Sequence, residues 1–137
     1  MAGLCRPDAG AVEQGVVFVI TASCHCGAVR ISIPYQPETL TNCSCSICRR
    51  YGTLWAYYSK EEVTVQAAAG GTESYSWDKK SIQFVRCTSC GCITHWEPIV
   101  EERGSRMGVN ARLFESEQLG AVRIRRLDGA VTEAYLD

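Results

Sequence analysis

The chain has 137 residues, enough for one domain with its own core. Charged residues make up 21% and the formal net charge is −1, so no overall basic field is present to recruit nucleic acid or an anionic membrane surface. No apolar run approaches the roughly 20 residues of a spanning helix.

Met1 to Gly15 carries Gly, Pro and Ala without apolar periodicity, and reads as a flexible tail before a single domain over 16–137. Val16 to Ile20, followed by Thr21-Ala22-Ser23-Cys24, faintly imitates a lipoprotein signal. The apolar stretch is too short for that, and Arg6 is the only basic residue before it, so a cytoplasmic protein is expected. Ala28 to Ile33 alternates as a strand, with Val29, Ile31 and Ile33 on one side. Leu54 to Tyr58 is rich in strand-forming aromatics, and Val63 to Gln66 is a short strand before the small-residue turn Ala67 to Gly71. Glu73 to Trp77 and Ser81 to Arg86 predict a hairpin through Asp78-Lys79-Lys80. Ile93 to Glu97, Arg106 to Asn110, Ala121 to Leu127 and Val131 to Leu136 continue the strand pattern, the last two around a two-residue Asp128-Gly129 turn. Helix is expected only as a turn within Phe114 to Leu119 and a start at Ser59 to Glu62. The class is mainly β.

Nine cysteines stand out, and an odd count cannot pair fully within one chain. Cys5 is alone; the others cluster as Cys24 and Cys26, then Cys43, Cys45 and Cys48, then Cys87, Cys90 and Cys92. Pairs with one or two intervening residues are metal-ligand spacings, and a cytosolic setting strengthens that reading. On a strand, Cys24 and Cys26 would face the same way while His25 points away. Cys87-Thr88-Ser89-Cys90-Gly91 suits a tight turn that folds two thiolates round an ion. The two arms together would make a closed four-thiolate site, the structural kind. Cys43, Cys45 and Cys48 are then a local set of three. Either Cys92 or His95 completes it, or it keeps an open position as catalytic zinc sites do.

The motifs "SCHCGAV", "NCSCSICRRYG" and "RCTSCGC", in this order and at these intervals, resemble the glutathione-dependent formaldehyde-activating enzyme family, which includes relatives of centromere protein V. The likeness runs from about Thr21 to Asn110. It implies a β-tent (Mss4-like) fold of short antiparallel sheets with up to two zinc ions. Cys24, Cys26, Cys87 and Cys90 would hold a structural one; Cys43, Cys45 and Cys48 would hold a catalytic one. The implied activity is that of a carbon–sulfur lyase, joining glutathione or a similar thiol to formaldehyde or another small aldehyde, and releasing it in reverse. Two positions depart from the family: Ser44 stands where histidine is frequent, and Cys92 where a small residue is common.

A zinc held by three thiolates carries formal negative charge, and a fourth thiolate adds to it. Arg49 and Arg50 directly follow the last ligand, where they would offset that charge or bind a glutathione carboxylate. Trp55, Tyr57 and Tyr58 are candidates for a pocket wall or for the core. Arg123, Arg125 and Arg126 read as a solvated face. The alternative function is a non-catalytic, zinc-stabilised protein-binding module. A nucleic-acid partner is not expected without a basic stripe interleaved with aromatics. Oligomeric state is left open.

Overall fold

The computed structural model describes residues 19–77, 81–100 and 102–137. The tail over 1–15, Cys5 and the Asp78-Lys79-Lys80 turn lie outside these residues. Two sheets carry the fold. The smaller has three antiparallel strands in the order β1 (Ile20–Ser23), β2 (Arg30–Ile33), β5 (Thr64–Gln66). The larger has eight, in the order β11, β10, β3, β4, β9, β8, β7, β6. These are β3 (Thr39–Cys43), β4 (Trp55–Ser59), β6 (Thr72–Tyr75), β7 (Ile82–Cys87), β8 (Ile93–Pro98), β9 (Arg106–Asn110), β10 (Arg123–Asp128) and β11 (Ala134–Tyr135). The protein is mainly β, as expected, and the arrangement is consistent with a β-tent.

Alternation in the sequence becomes burial. Val29, Ile31 and Ile33 are buried while Arg30 is exposed. Ile31 and Ile33 of the small sheet pack with Leu40, Ala56, Tyr58, Met107 and Val109 of the large one, forming the core between the sheets. The opposite face of the large sheet buries a second cluster: Trp55, Phe84 and Ile93 with Cys43 and Cys48. On β4, therefore, Trp55 and Tyr57 face one way and Ala56 and Tyr58 the other.

Several local structures differ from the sequence-based expectation. Residues 46–51 form a helix, α1 (Ser46–Tyr51), where none was expected. The Cys45 sulfur caps it by accepting from the Cys48 N–H at 3.4 Å, and Gly52 ends it at φ 70° with its N–H on the Cys48 carbonyl. β1 and β3 were also not foreseen. Cys24 and Cys26 do not share a strand. They occupy a turn, because Gly27 adopts φ +85° and donates its N–H to the Cys24 carbonyl at 3.1 Å. β10 pairs with β3 in parallel, so the large sheet is not wholly antiparallel. A parallel neighbour requires a crossover, supplied by the segment containing α2 (Ser116–Leu119), anchored by buried Phe114 and Leu119. The helical start at Ser59 is a 3₁₀ turn over Lys60–Glu62, with the Glu62 carboxylate accepting from the Ser59 N–H.

The last hairpin also turns differently. Its strands are joined by residues 129–133, not by a two-residue turn: Asp128 pairs with Ala134. The Asp128 carboxylate accepts from the Thr132 N–H and hydroxyl, and its carbonyl accepts from Glu133, which sits at φ 59°.

Candidate metal centres and their cavity

The first cysteine group assembles from two turns of matching design. Cys24 and Cys26 precede Gly27, and Cys87 and Cys90 precede Gly91, which adopts φ +79° and donates to the Cys87 carbonyl. The four sulfurs lie within 4.8 Å of one another. Cys26 Sγ is 3.7 Å from Cys24 Sγ and 3.6 Å from Cys87 Sγ. A disulfide requires about 2.05 Å, and all described cysteines are free. The edge of a tetrahedron with 2.3 Å zinc–sulfur bonds is about 3.8 Å, so the donor set fits that ion. Backbone N–H groups point at the sulfurs: Val29 donates to Cys24 at 3.3 Å and Cys90 to Cys87 at 3.4 Å. The Cys90 N–H holds the Cys87 thiol below its ordinary range. Cys92 packs beside this group without joining it, and burial pushes its thiol up.

The second group, Cys43, Cys45 and Cys48, also converges within 4.8 Å. β3 delivers Cys43, the helix cap is Cys45, and the first turn of α1 turns Cys48 inward. Neither Cys92 nor His95 belongs to the group. The Trp55 indole N–H donates to Cys48 Sγ at 3.3 Å. A hydrogen bond from Cys48 draws the Cys43 thiol down to about 6, while that same bond and burial push Cys48 far up. Crowded, largely buried thiols share protons in this way because their charges repel; a dication removes that obstacle to ionising all three.

The three sulfurs open on a cavity of about 490 Å³. Trp55, Tyr57, Phe84 and Trp96 form an aromatic wall, and Trp77, 42% exposed, stands at its edge. Trp96 fits because its partner position on β9 is Gly108, where any Cβ would collide with the indole. Burial pushes the Tyr57 phenol up to about 12. Tyr58, the third aromatic candidate, faces the other core and donates to the Tyr35 carbonyl at 2.8 Å. The C-terminal hairpin completes the wall with Gly129, Ala130 and Glu133. Gly129 is not a left-handed turn residue; a side chain there would strike Cys43 Sγ, and its N–H donates to that sulfur. Ser44 anchors the same hairpin: its N–H donates to the Leu127 carbonyl at 3.0 Å and its hydroxyl to Asp128.

Arg49 and Arg50 are exposed on α1, and neither lines the cavity. Arg50 donates to the Ser46 carbonyl at 2.8 Å. Arg125 is not a plain solvated residue as expected: it is half-buried and stacks on Tyr135. Gly129, Trp96 and Glu133 were missed as site residues. The Asp128-Gly129 pair was the signal available, and it pointed to a turn alone.

A mainly β scaffold with two clusters of converging thiols, one opening on an aromatic cavity, defines a protein with two candidate metal sites and a candidate small-molecule site. The chain belongs to the glutathione-dependent formaldehyde-activating enzyme family, whose sequence model matches residues 19–124. Among solved structures it is similar to a Rhodobacter sphaeroides protein determined by structural genomics, at 27% identity and a TM-score of 0.62, covering 77% of this chain and 99% of that one. A comparison with curated proteins gave no match. Among the described residues, no helix is long and apolar enough to cross a membrane.

Proposed function

We propose that residues 16–137 act as one zinc-binding unit that joins a thiol such as glutathione to formaldehyde or another small aldehyde and reverses the step, a carbon–sulfur lyase activity in the cytoplasm. The observation that carries this reading is the three-cysteine group facing an aromatic-walled cavity. Cys24, Cys26, Cys87 and Cys90 would hold a structural zinc. A zinc on Cys43, Cys45 and Cys48 would leave one of its four usual positions to a substrate thiolate and favour that ionised form at neutral pH.

The chain's own residues do the rest. The carbon–sulfur bond forms as the thiol sulfur adds to the aldehyde carbon, and the thiol's proton ends on the carbonyl oxygen. Trp55, Phe84 and Trp96 keep water from the reacting atoms. Glu133, the one carboxylate among the described cavity-lining residues, is the group we assign to carry the proton. The Gly129 N–H helps hold Cys43 ionised. Arg49 and Arg50 offset the negative charge of the thiolate set from the adjoining helix.

The test is thiol-dependent consumption of formaldehyde above the spontaneous rate, together with cobalt substitution. Glutathione should speed consumption and change the cobalt spectrum. No change at millimolar thiol would favour the alternative, a zinc-stabilised protein-binding module.

A further inference from the structure

The space beside the second cysteine group is walled by apolar side chains from the sulfurs outward. The Trp55 indole N–H donates to Cys48 Sγ at 3.3 Å, and Ile47, Ile82, Phe84, Trp96 and Trp77 continue the lining. The inner wall is fixed in advance by its own packing. Trp55 leans on Phe84 with ring centroids 6.2 Å apart, and Trp96 meets Tyr57 edge-on at 6.1 Å. Trp77 differs. It is exposed at the mouth, and among the described residues its ring has no aromatic or cationic partner. Its neighbour Ser76 ties it to the cavity side, the hydroxyl donating to the Ile82 carbonyl at 3.1 Å.

Charge points the same way. Among the described lining residues there is no lysine or arginine, while Glu133 and the three thiols add negative charge when ionised. An anionic or strongly polar substrate group would lose its water there and gain no cation. Formaldehyde has two heavy atoms, on the order of 60 Å³ if each takes the volume of a water. It would leave most of the cavity of about 490 Å³ unfilled.

We infer that the aldehyde taken by this site carries a flat apolar group, such as a phenyl ring on a short alkyl link, and that Trp77 packs against that group at the mouth. The inference rests on the reading of the second group as the thiol-addition site. The step is the one given above: the thiol sulfur bonds to the aldehyde carbon, and the thiol's proton ends on the carbonyl oxygen. An aldehyde of this kind brings its carbonyl to the sulfurs and its ring among Phe84, Trp96 and Trp77, where ring pairs add to the gain from burial. The charged ends of a glutathione-like thiol then lead out to solvent.

The test compares propanal with 3-phenylpropanal, which share the reacting carbonyl and differ by the ring, using the full-length zinc-loaded protein at saturating glutathione. Wild type should favour 3-phenylpropanal at least about tenfold in kcat/KM. Its counterpart 4-oxobutanoate, with a carboxylate in place of the ring, should do no better than propanal. In W77A the phenyl preference should fall about threefold or more. All three tryptophans of the chain line this cavity, so indole fluorescence gives a readout without turnover: unreactive 3-phenylpropanol should bind at least about tenfold more tightly than 1-propanol. Equal kcat/KM for propanal and 3-phenylpropanal overturns the inference, as does a preference for 4-oxobutanoate or equal binding of the two alcohols. An unchanged preference in W77A overturns the role of Trp77; if W77A does not fold, W77L, which keeps bulk without a ring, decides it in the same way. Turnover of formaldehyde without 3-phenylpropanal leaves the thiol-addition reading standing and sinks this one; if no aldehyde is turned over, both fall.

Discussion

The two cysteine groups differ in how much chain they gather. Cys26 and Cys87 are 61 residues apart, and their contact ties the turn after β1 to the turn between β7 and β8, joining the two sheets. Cys43, Cys45 and Cys48 come from a strand end and the first turn of one helix, and join almost nothing distant by themselves. The first group is built from glycine turns that direct backbone N–H groups onto sulfur; the second is built against a cavity. On the function proposed above, the same side chain would serve stability where it closes a long loop, and chemistry where it closes a short one.

Mutation should separate them. Cys87→Ser has the largest expected effect, several kcal/mol of a total near 5–15 kcal/mol, giving unfolded or insoluble protein. Solubility and the circular dichroism melt measure it; a soluble variant with wild-type Tm would break the comparison.

A control away from both groups comes next. The His95 hydrogen bond first, then Gln83 and the Lys60 charge, hold the Glu97 carboxyl at about 2 against an ordinary 4.5. A depressed carboxyl contributes stability above its unfolded pKa, and that contribution fades as pH falls from 4.5 toward about 2. Glu97→Gln should cost about 2 kcal/mol at pH 7 and flatten this acid limb in denaturant melts, leaving the zinc count alone. An unchanged limb would remove Glu97 from the account.

Gly129→Ala should cost about 1–2 kcal/mol, because its methyl drives the hairpin off Cys43. The cobalt spectrum of the second group alone should shift. A shift at the first group instead would contradict the separation.

Cys45→Ser has the smallest expected effect on stability, under about 1 kcal/mol, since serine replaces sulfur as the helix cap. It is a cleaner probe than Cys48, which is buried and accepts from Trp55. Zinc should fall from two per chain to one while Tm is nearly kept. A collapse like that of Cys87→Ser would make the second group structural as well.

Much of this was legible because it is periodic or motif-bound. The Val29, Ile31, Ile33 alternation predicted the core strand, and alternation in β4 sorted Trp55 and Tyr57 from Tyr58 once the faces were known. Spacing marked the cysteine clusters as candidate ligands but left open whether Cys92 or His95 joins the second group, which the fold answers by keeping both apart from it. α1 was hidden because six residues carry no helical period and its cap is a cysteine, which is not a usual N-cap signal. The parallel partner of β3 was hidden because pairing across a crossover leaves no local mark. Gly129 was misread for a related reason. A glycine needed for φ and one needed for close approach look identical in a sequence, and only the fold brings Cys43 beside it.

The late arrival of β10 beside β3 has a consequence for events on the ribosome. All seven candidate ligands are synthesised by Cys90, but the strand and hairpin that wall the second group follow only after residue 120. A nascent chain folding from its N-terminal side therefore presents Cys43, Cys45 and Cys48 uncovered before the Gly129 N–H and Glu133 exist to flank them. A metal delivered to this group at that stage would be seated before the C-terminal hairpin packs beside it. Chains stalled at Gly120 should capture zinc at this group faster than the finished protein does; equal rates would show that the hairpin is no barrier to loading.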